Sequence, residues 1–372
     1  MSLEELAEIS RFYGSDPEYV IAGGGNTSFK DENYLYIKAS GTSLAGLRSG
    51  DFVKMDREKL RRIWDKEYPR ESESREAAVL TDMMAARAPG EEGKRPSVET
   101  LLHGILPFAY VVHLHPALVN GLTCSRGGET AAAELFGGRS LWIPSVNPGY
   151  VLSRIVKDAM DDYSAKKGKP PAIIFLQNHG VFVAADSTEG IKALYAHIMD
   201  TIAGAVKRKP DVSGLVNRFG ASEAWSSALR AQAGKSRKGP WFTWFVRNPE
   251  IAGFIKDEKS FYPLSSALTP DHIVYAGSDP LFVKEGAPLE EAWKNHLEKT
   301  GLIPKTVAFQ GLGVFGLGAS EKAAQTATEL FIDALKVAVY SESFGGPLFM
   351  SGEQIRFINN WEVESYRSKV AS

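Results

Sequence analysis

The stretch Pro96–Pro116, PSVETLLHGILPFAYVVHLHP, decides how the rest of the chain is read. It begins with Ser97 and the carboxylate of Glu99 and closes on His113-Leu114-His115, two imidazoles on a mostly apolar run. Side chains at i and i+2 of a strand share a face, so both rings would point at one spot. A metal site asks for that arrangement. A third imidazole, His179, ends the apolar run Ile173-Ile-Phe-Leu-Gln-Asn-His179-Gly180, which also reads as a strand reaching a glycine. The pattern points to three histidines around a metal, with a carboxylate nearby. Ser97 is placed to cap a helix whose first turn contains Glu99 and Thr100. Glu99 therefore also has an ordinary reading, as a first-turn carboxylate favoured by the helix dipole.

The 372 residues carry a formal net charge of -2, with 44% hydrophobic and 24% charged residues. These are globular proportions and allow one large domain or two ordinary ones. Without a basic excess, neither nucleic acid nor an anionic membrane is expected as a partner. The single cysteine, Cys124, cannot close an intrachain disulfide, which fits a reducing compartment. The start, MSLEELAEISRFYG, is amphipathic and lacks a signal-peptide core, and no apolar run nears the ~20 residues needed to cross a bilayer. A cytoplasmic protein is expected.

Upstream, Gly23-Gly24-Gly25-Asn26-Thr27-Ser28 is a small polar loop whose backbone N–H groups and short side chains suit an anion or a compact polar ligand. Tyr34–Ala39 reads as a strand and delivers a second such loop, Ser40-Gly41-Thr42-Ser43. Two ordinary turns are the alternative. The glycines match neither G-x-G-x-x-G nor a Walker sequence. Downstream, Leu141–Pro144 reads as a strand, Pro148-Gly149-Tyr150 as a rigid turn, and Val151–Lys166 as a helix. Val181–Ala184 then pairs back on the His179 strand, and Ser187–Val206 is a long helix.

Residues 1–206 are expected to form the metal-binding domain, 207–260 a connecting region, and 261–372 a C-terminal module. The last contains a weak internal repeat. Pro171–Ile202 aligns without gaps on Pro304–Leu335, matching Gln177 with Gln310, Gly180 with Gly313 and Phe182 with Phe315. His179 falls on Leu312, so the second copy would lose its metal ligand. Chance similarity between two strand–helix units is the alternative. Leu268–Tyr275 reads as a turn becoming a strand, and the tail from Trp361 to Tyr366 is expected at a domain junction or an oligomer contact.

Three neutral imidazoles suit a borderline metal such as Zn2+ and can leave a coordination position open for Lewis-acid work on a carbonyl or enediolate oxygen. Glu99 would then be the proton-transfer base, and the Gly/Asn/Ser loops would hold the far end of a substrate, such as a phosphate.

Five motifs in order, GNTS at 25–28, SG at 40–41, PSVET at 96–100, HLHP at 113–116 and QNHG at 177–180, resemble the class II aldolase/adducin superfamily. The nearest likeness is to the aldolase part of rhamnulose-1-phosphate aldolase/alcohol dehydrogenase fusion proteins. Their dehydrogenase domain has no counterpart here, and no NAD site is expected. The resemblance implies an α/β fold, a mostly antiparallel central sheet flanked by helices; the internal alignment adds the expectation of a C-terminal α/β extension, as a degenerate repeat or as a chance likeness. It implies a divalent metal, usually zinc, on His113, His115 and His179, and Glu99 as the residue exchanging the proton beside the carbonyl. The implied reaction is cleavage of a ketose 1-phosphate, rhamnulose-1-phosphate-like, through a metal-stabilised enediolate. Asn26, Thr27, Ser28, Ser40, Gly41 and Ser97 are the implied phosphate contacts. Val98 stands where phosphate aldolases of the family often have a serine, so an unphosphorylated sugar or acid stays open as the ligand. Tyr150 is the nominee for the family's protonating phenol, against a reading as a buried turn anchor. Epimerase, dehydratase or decarboxylase chemistry on the same metal, or a non-catalytic adducin-like interaction module, are the alternatives. The resemblance also implies a homo-oligomer, tetramer or dimer.

Overall fold

A computed structural model describes residues 2–361 of the chain. The expected contacts of the tail beyond Trp361, through Tyr366, lie outside the described residues. Two compact units emerge: residues 2–123, 128–205 and 361 form the first, and 124–127 with 206–360 form the second.

The first unit is built on seven strands: β1 (Asn26–Lys30), β2 (Tyr34–Lys38), β3 (Phe52–Asp56), β4 (Tyr110–Leu114), β5 (Leu141–Ile143), β6 (Ile173–Leu176) and β7 (Gly180–Ala185). Their order is β3-β2-β1-β4-β7-β6-β5. Every pairing is antiparallel except β5 with β6. The expected α/β architecture, a mostly antiparallel central sheet flanked by helices, is therefore what this unit adopts. All of β4 and β6 and five of six residues of β7 are buried, so both faces of the sheet's centre are covered. One cover joins Leu102 and Leu106 to Val111, Ile174, Phe182 and Met160.

Two local readings are corrected. Asn26-Thr27-Ser28, expected as the end of a polar loop, instead open the central strand β1, paired on both sides, with β2 and with β4. Its polar residues and preceding glycines hide it from propensity, and two partners override that weak signal. The segment expected to become a strand before Tyr275 is instead a π-helical turn, His272–Ala276. A short, wholly buried run of β-branched and aromatic residues does not distinguish the two by periodicity. Thr306 Oγ1 donates to the turn's last carbonyl, Ala276 O, at 3.1 Å. His272 Nε2 meets Asp333 Oδ2 at 2.9 Å.

The second unit contains the C-terminal α/β extension: β8 (Phe242–Val246), β9 (Leu281–Val283), β10 (Thr306–Phe309) and β11 (Gly313–Gly318), in the order β8-β11-β10-β9. Only β9 and β10 run parallel. The stretch 207–260, read from sequence as a connection, supplies the helix Ser222–Ser236 and the edge strand β8 of this sheet. Aromatic residues Phe242, Trp244 and Phe245 dominate that strand and favour pleated backbone.

Candidate metal centre

The site is assembled at one end of the β4–β7–β6 part of the sheet. His113 is on β4, opposite Phe182 of β7, and their rings stack with centroids 4.0 Å apart. His115 follows as β4 ends, its backbone N–H donating to Tyr19 O at 3.2 Å. His179 occupies the turn between β6 and β7, after Asn178, whose φ of 58° is left-handed. The glycine that follows is sterically required. A Cβ on Gly180 would be 2.5 Å from Leu114 O and 2.7 Å from His115 Cδ2.

One nitrogen from each of His113, His115 and His179 lies within 4.8 Å of the others. His113 Nδ1 is 3.0 Å from Val181 O. A carbonyl can only accept, which assigns the proton to Nδ1 and leaves the Nε2 lone pair facing the cluster. The Nε2 atoms of His113 and His115 face each other at 2.9 Å. Glu99 Oε1 lies 3.3 Å from His113 Nε2 and 3.5 Å from His179 Nε2, buried and without a hydrogen-bond partner. Converging imidazole donors and an orphaned buried carboxylate oxygen fit a divalent cation.

Burial acts to raise the Glu99 carboxyl, but the positive charge of His113, His179 and His115, when these imidazoles are protonated, holds it well below the ordinary carboxylate range. Its other oxygen, Oε2, accepts from Asn26 Nδ2. Glu99 precedes the helix Thr100–Ile105 rather than lying in its first turn, and Ser97 Oγ accepts the Glu99 N–H at 3.2 Å instead of capping that helix.

The residues expected to hold a phosphate separate into two groups. Ser40 N–H donates to Arg95 O at 2.8 Å, and Ala39 bridges Pro96, so the Ser40-Gly41 loop lies beside Ser97. Lys38 Nζ donates to Thr42 O at 2.6 Å and to Gly23 O at 3.4 Å, drawing the glycine loop onto the same place. Lys38 was missed from sequence because its strand placement, facing both loops, becomes visible only in three dimensions. Asn26, Thr27 and Ser28 instead turn to protein partners. The Asn26 amide holds Glu99. Thr27 Oγ1 is 2.7 Å from Ser10 Oγ, and Ser28 Oγ is 2.7 Å from His103 Nδ1; both hydroxyl residues are wholly buried. Tyr150 has aromatic and backbone partners of its own. Its ring lies against Trp64 and Tyr68, with centroids 5.9 and 5.1 Å away, and its backbone N–H donates to Glu76 Oε2 at 2.9 Å. These contacts make it an anchor at the start of the helix Tyr150–Lys167.

Residues 4–203 match the family described as Class II Aldolase and Adducin N-terminal domain. The chain belongs to this family. Among curated proteins the class II aldolase-like chain is similar to the uncharacterized oxidoreductase YuxG of Bacillus subtilis (strain 168), at 21% identity over 425 residues, covering 99% of this chain and 58% of that protein. It thus spans less than two thirds of that relative's length. Solved structures similar to it include the N-terminal class II aldolase domain of a conserved protein from Thermoplasma acidophilum, at 26% identity and TM-score 0.46, covering 55% of this chain and 93% of that one. A second is YgbL, a putative aldolase/epimerase/decarboxylase from Escherichia coli, at 20% identity and TM-score 0.38, covering 54% and 86%. A third is L-fuculose-1-phosphate aldolase from Thermus thermophilus, at 15% identity and TM-score 0.33, covering 54% and 92%. Among the described residues, no helix is long and apolar enough to cross a membrane.

Proposed function

We propose that the first unit is a metal-dependent carbon–carbon lyase acting on a ketose 1-phosphate of the rhamnulose-1-phosphate type. The observation that carries this reading is the unpartnered Glu99 Oε1, buried 3.3 Å from the His113 Nε2 of a three-imidazole cluster. His113, His115 and His179 would hold the cation, most simply Zn2+. When bound, it supplies Lewis-acid polarisation of the substrate's carbonyl and hydroxyl oxygens. Glu99 moves the proton at the carbon beside the carbonyl, its free Oε1 aimed there while Asn26 fixes Oε2. The Gly23–Gly25 and Ser40-Gly41 loops, with Ser97 and the Lys38 ammonium, receive the phosphate end through N–H, hydroxyl and charge.

The second unit, in this reading, is a degenerate copy of part of the first that keeps the fold without metal ligands. The family likeness and the fusion-protein resemblance motivate the expectation of a homo-oligomer.

The deciding experiment is retro-aldol cleavage of a panel of ketose 1-phosphates by metal-loaded protein, coupled to dihydroxyacetone phosphate detection, with Glu99→Gln as control. Metal-dependent cleavage lost in the control supports the lyase. Metal-dependent conversion without release of dihydroxyacetone phosphate would move the assignment to epimerase or dehydratase chemistry on the same cluster. Protein that binds no metal and turns nothing over would revive the adducin-like interaction module.

A further inference from the structure

Three alternate residues of β1 each hold a different level of the Glu99 helix. Asn26, Ser28 and Lys30 share one face of the strand, by its period of two. Asn26 Nδ2 donates to Glu99 Oε2, just before the helix starts. Ser28 Oγ lies 2.7 Å from His103 Nδ1, midway along it. Lys30 Nζ donates to Leu106 O and to Phe108 O, each at 2.8 Å, in the turn leaving it. That turn leads directly into β4, and the Lys30 N–H donates to Ala109 O at 2.9 Å. Lys30 is 6% exposed, its amino group committed to two main-chain carbonyls.

We propose that Lys30 is a positioning residue for Glu99: its amino group ties off the turn between the Glu99 helix and the His113 strand, and so sets the carboxylate against the imidazoles. Catalytically, this rests on the lyase reading above. The helix is short, and its last carbonyls have no intrahelical donors. Without Lys30, the Leu106 and Phe108 carbonyls lose their buried partner, and the helix is free to shift along β1. A displacement of about 1 Å at a catalytic group costs up to about 100-fold in rate. Ser28 and Asn26 alone hold the other two levels, so the shift is expected to be greatest at the C-terminal end and to reach Glu99 as a tilt.

The test compares Lys30→Met and Lys30→Arg, both checked for folding by circular dichroism. Exchange of a hydroxymethyl proton of dihydroxyacetone phosphate into D2O reads Glu99 without requiring the aldehyde partner. Zn2+ affinity reads the histidines, and crystal structures of the zinc-loaded variants read the Glu99–His113 separation. Lys30→Met should lose about 100-fold in exchange, keep Zn2+ affinity within about threefold, and show a displaced Glu99; Lys30→Arg should restore most of the exchange. An undisplaced Glu99 in Lys30→Met overturns the proposal, as does equal loss of Zn2+ affinity, which would make Lys30 a general structural support. If the wild type itself exchanges nothing, the lyase reading fails, and the Glu99 displacement in the crystal structures still decides the role of Lys30.

Discussion

The two units carry the same four-strand arrangement with different chemistry at its end. In the first, β4-β7-β6-β5 run in that order with only β5 and β6 parallel; in the second, β8-β11-β10-β9 do the same with only β9 and β10 parallel. One spacing of 133 residues carries Ile173 to Thr306, Gly180 to Gly313 and Thr188 to Glu321, the starts of the matching strands and helix. His113 faces Phe182 across the first sheet, and Phe245 faces Phe315 across the second. By that register Phe245, Arg247 and Leu312 stand where His113, His115 and His179 stand. Arg247 donates to the carbonyls of Gly311 and Leu312 and lies 4.2 Å over the Phe219 ring. Among the described residues, the second unit has no partner strand where β1 flanks β4, and with it goes the face that holds Glu99 in the first unit. The difference shows that the same strand frame forms without the three histidines, so the fold itself does not require them.

The most demanding way to break the comparison is to place histidines at 245, 247 and 312 together. If the registers correspond, Phe245→His/Arg247→His/Leu312→His should add a further equivalent of bound Zn2+ per chain, measured by elemental analysis. Unchanged metal content would show that the two frames diverge at their ends. Next in size is Glu99→Gln, expected to retain metal and lose about 10²–10⁴-fold in proton exchange, the usual worth of a general base. A comparable rate in the variant would move the base elsewhere.

Much of this was legible in the sequence. The histidine spacing on β4 and the strand–turn–helix after it are local patterns, strong enough to predict His113, His115 and His179 as a group. The matched strand and helix starts of the two units were also visible, through Gln177, Gly180 and Phe182. What escaped was nonlocal. β1 is polar and follows three glycines, and only its two neighbours make it a strand. The tasks of Asn26, Ser28 and Lys30 depend on a helix more than seventy residues away in sequence. Tyr150 carried the right functional group in a suggestive turn, yet its ring packs on Trp64 and Tyr68.

Smaller effects sharpen the comparison at its glycines. Gly180→Ala and Gly313→Ala should each cost about 1–3 kcal/mol in denaturant titration, because each new methyl meets packed neighbours. The neighbours differ: Leu114 O and the His115 ring for the first, the Phe245 ring at 2.4 Å for the second. Only the first should also weaken metal binding; equal metal affinity in both would detach Gly180 from the site. A last effect, read as a pH dependence, belongs to Lys30. Burial, with Arg57 acting the same way and Asp186 opposing, pulls its ammonium down from 10.5 to about 7, while His103 faces it from the Glu99 helix. Between those values the unfolded chain holds a proton that the folded chain has released, so this group's contribution to stability rises with pH across that window. Lys30→Met should flatten that rise in thermal melts from pH 7 to 10; an identical slope would place the titration elsewhere.

The glutamine shared by the two turns has a consequence for how such chains are recognised. Gln177 Oε1 accepts the Ser145 N–H at 3.2 Å, and Gln310 Oε1 accepts the Glu285 N–H at 3.0 Å, each clasping the loop that follows the parallel neighbour strand. The residue after each glutamine, Asn178 or Gly311, takes the same left-handed backbone. A sequence query written on Gln-x-x-Gly would therefore retrieve the clasp, with or without catalysis. The third letter of that word, histidine in one unit and leucine in the other, separates a candidate metal centre from a bare strand frame.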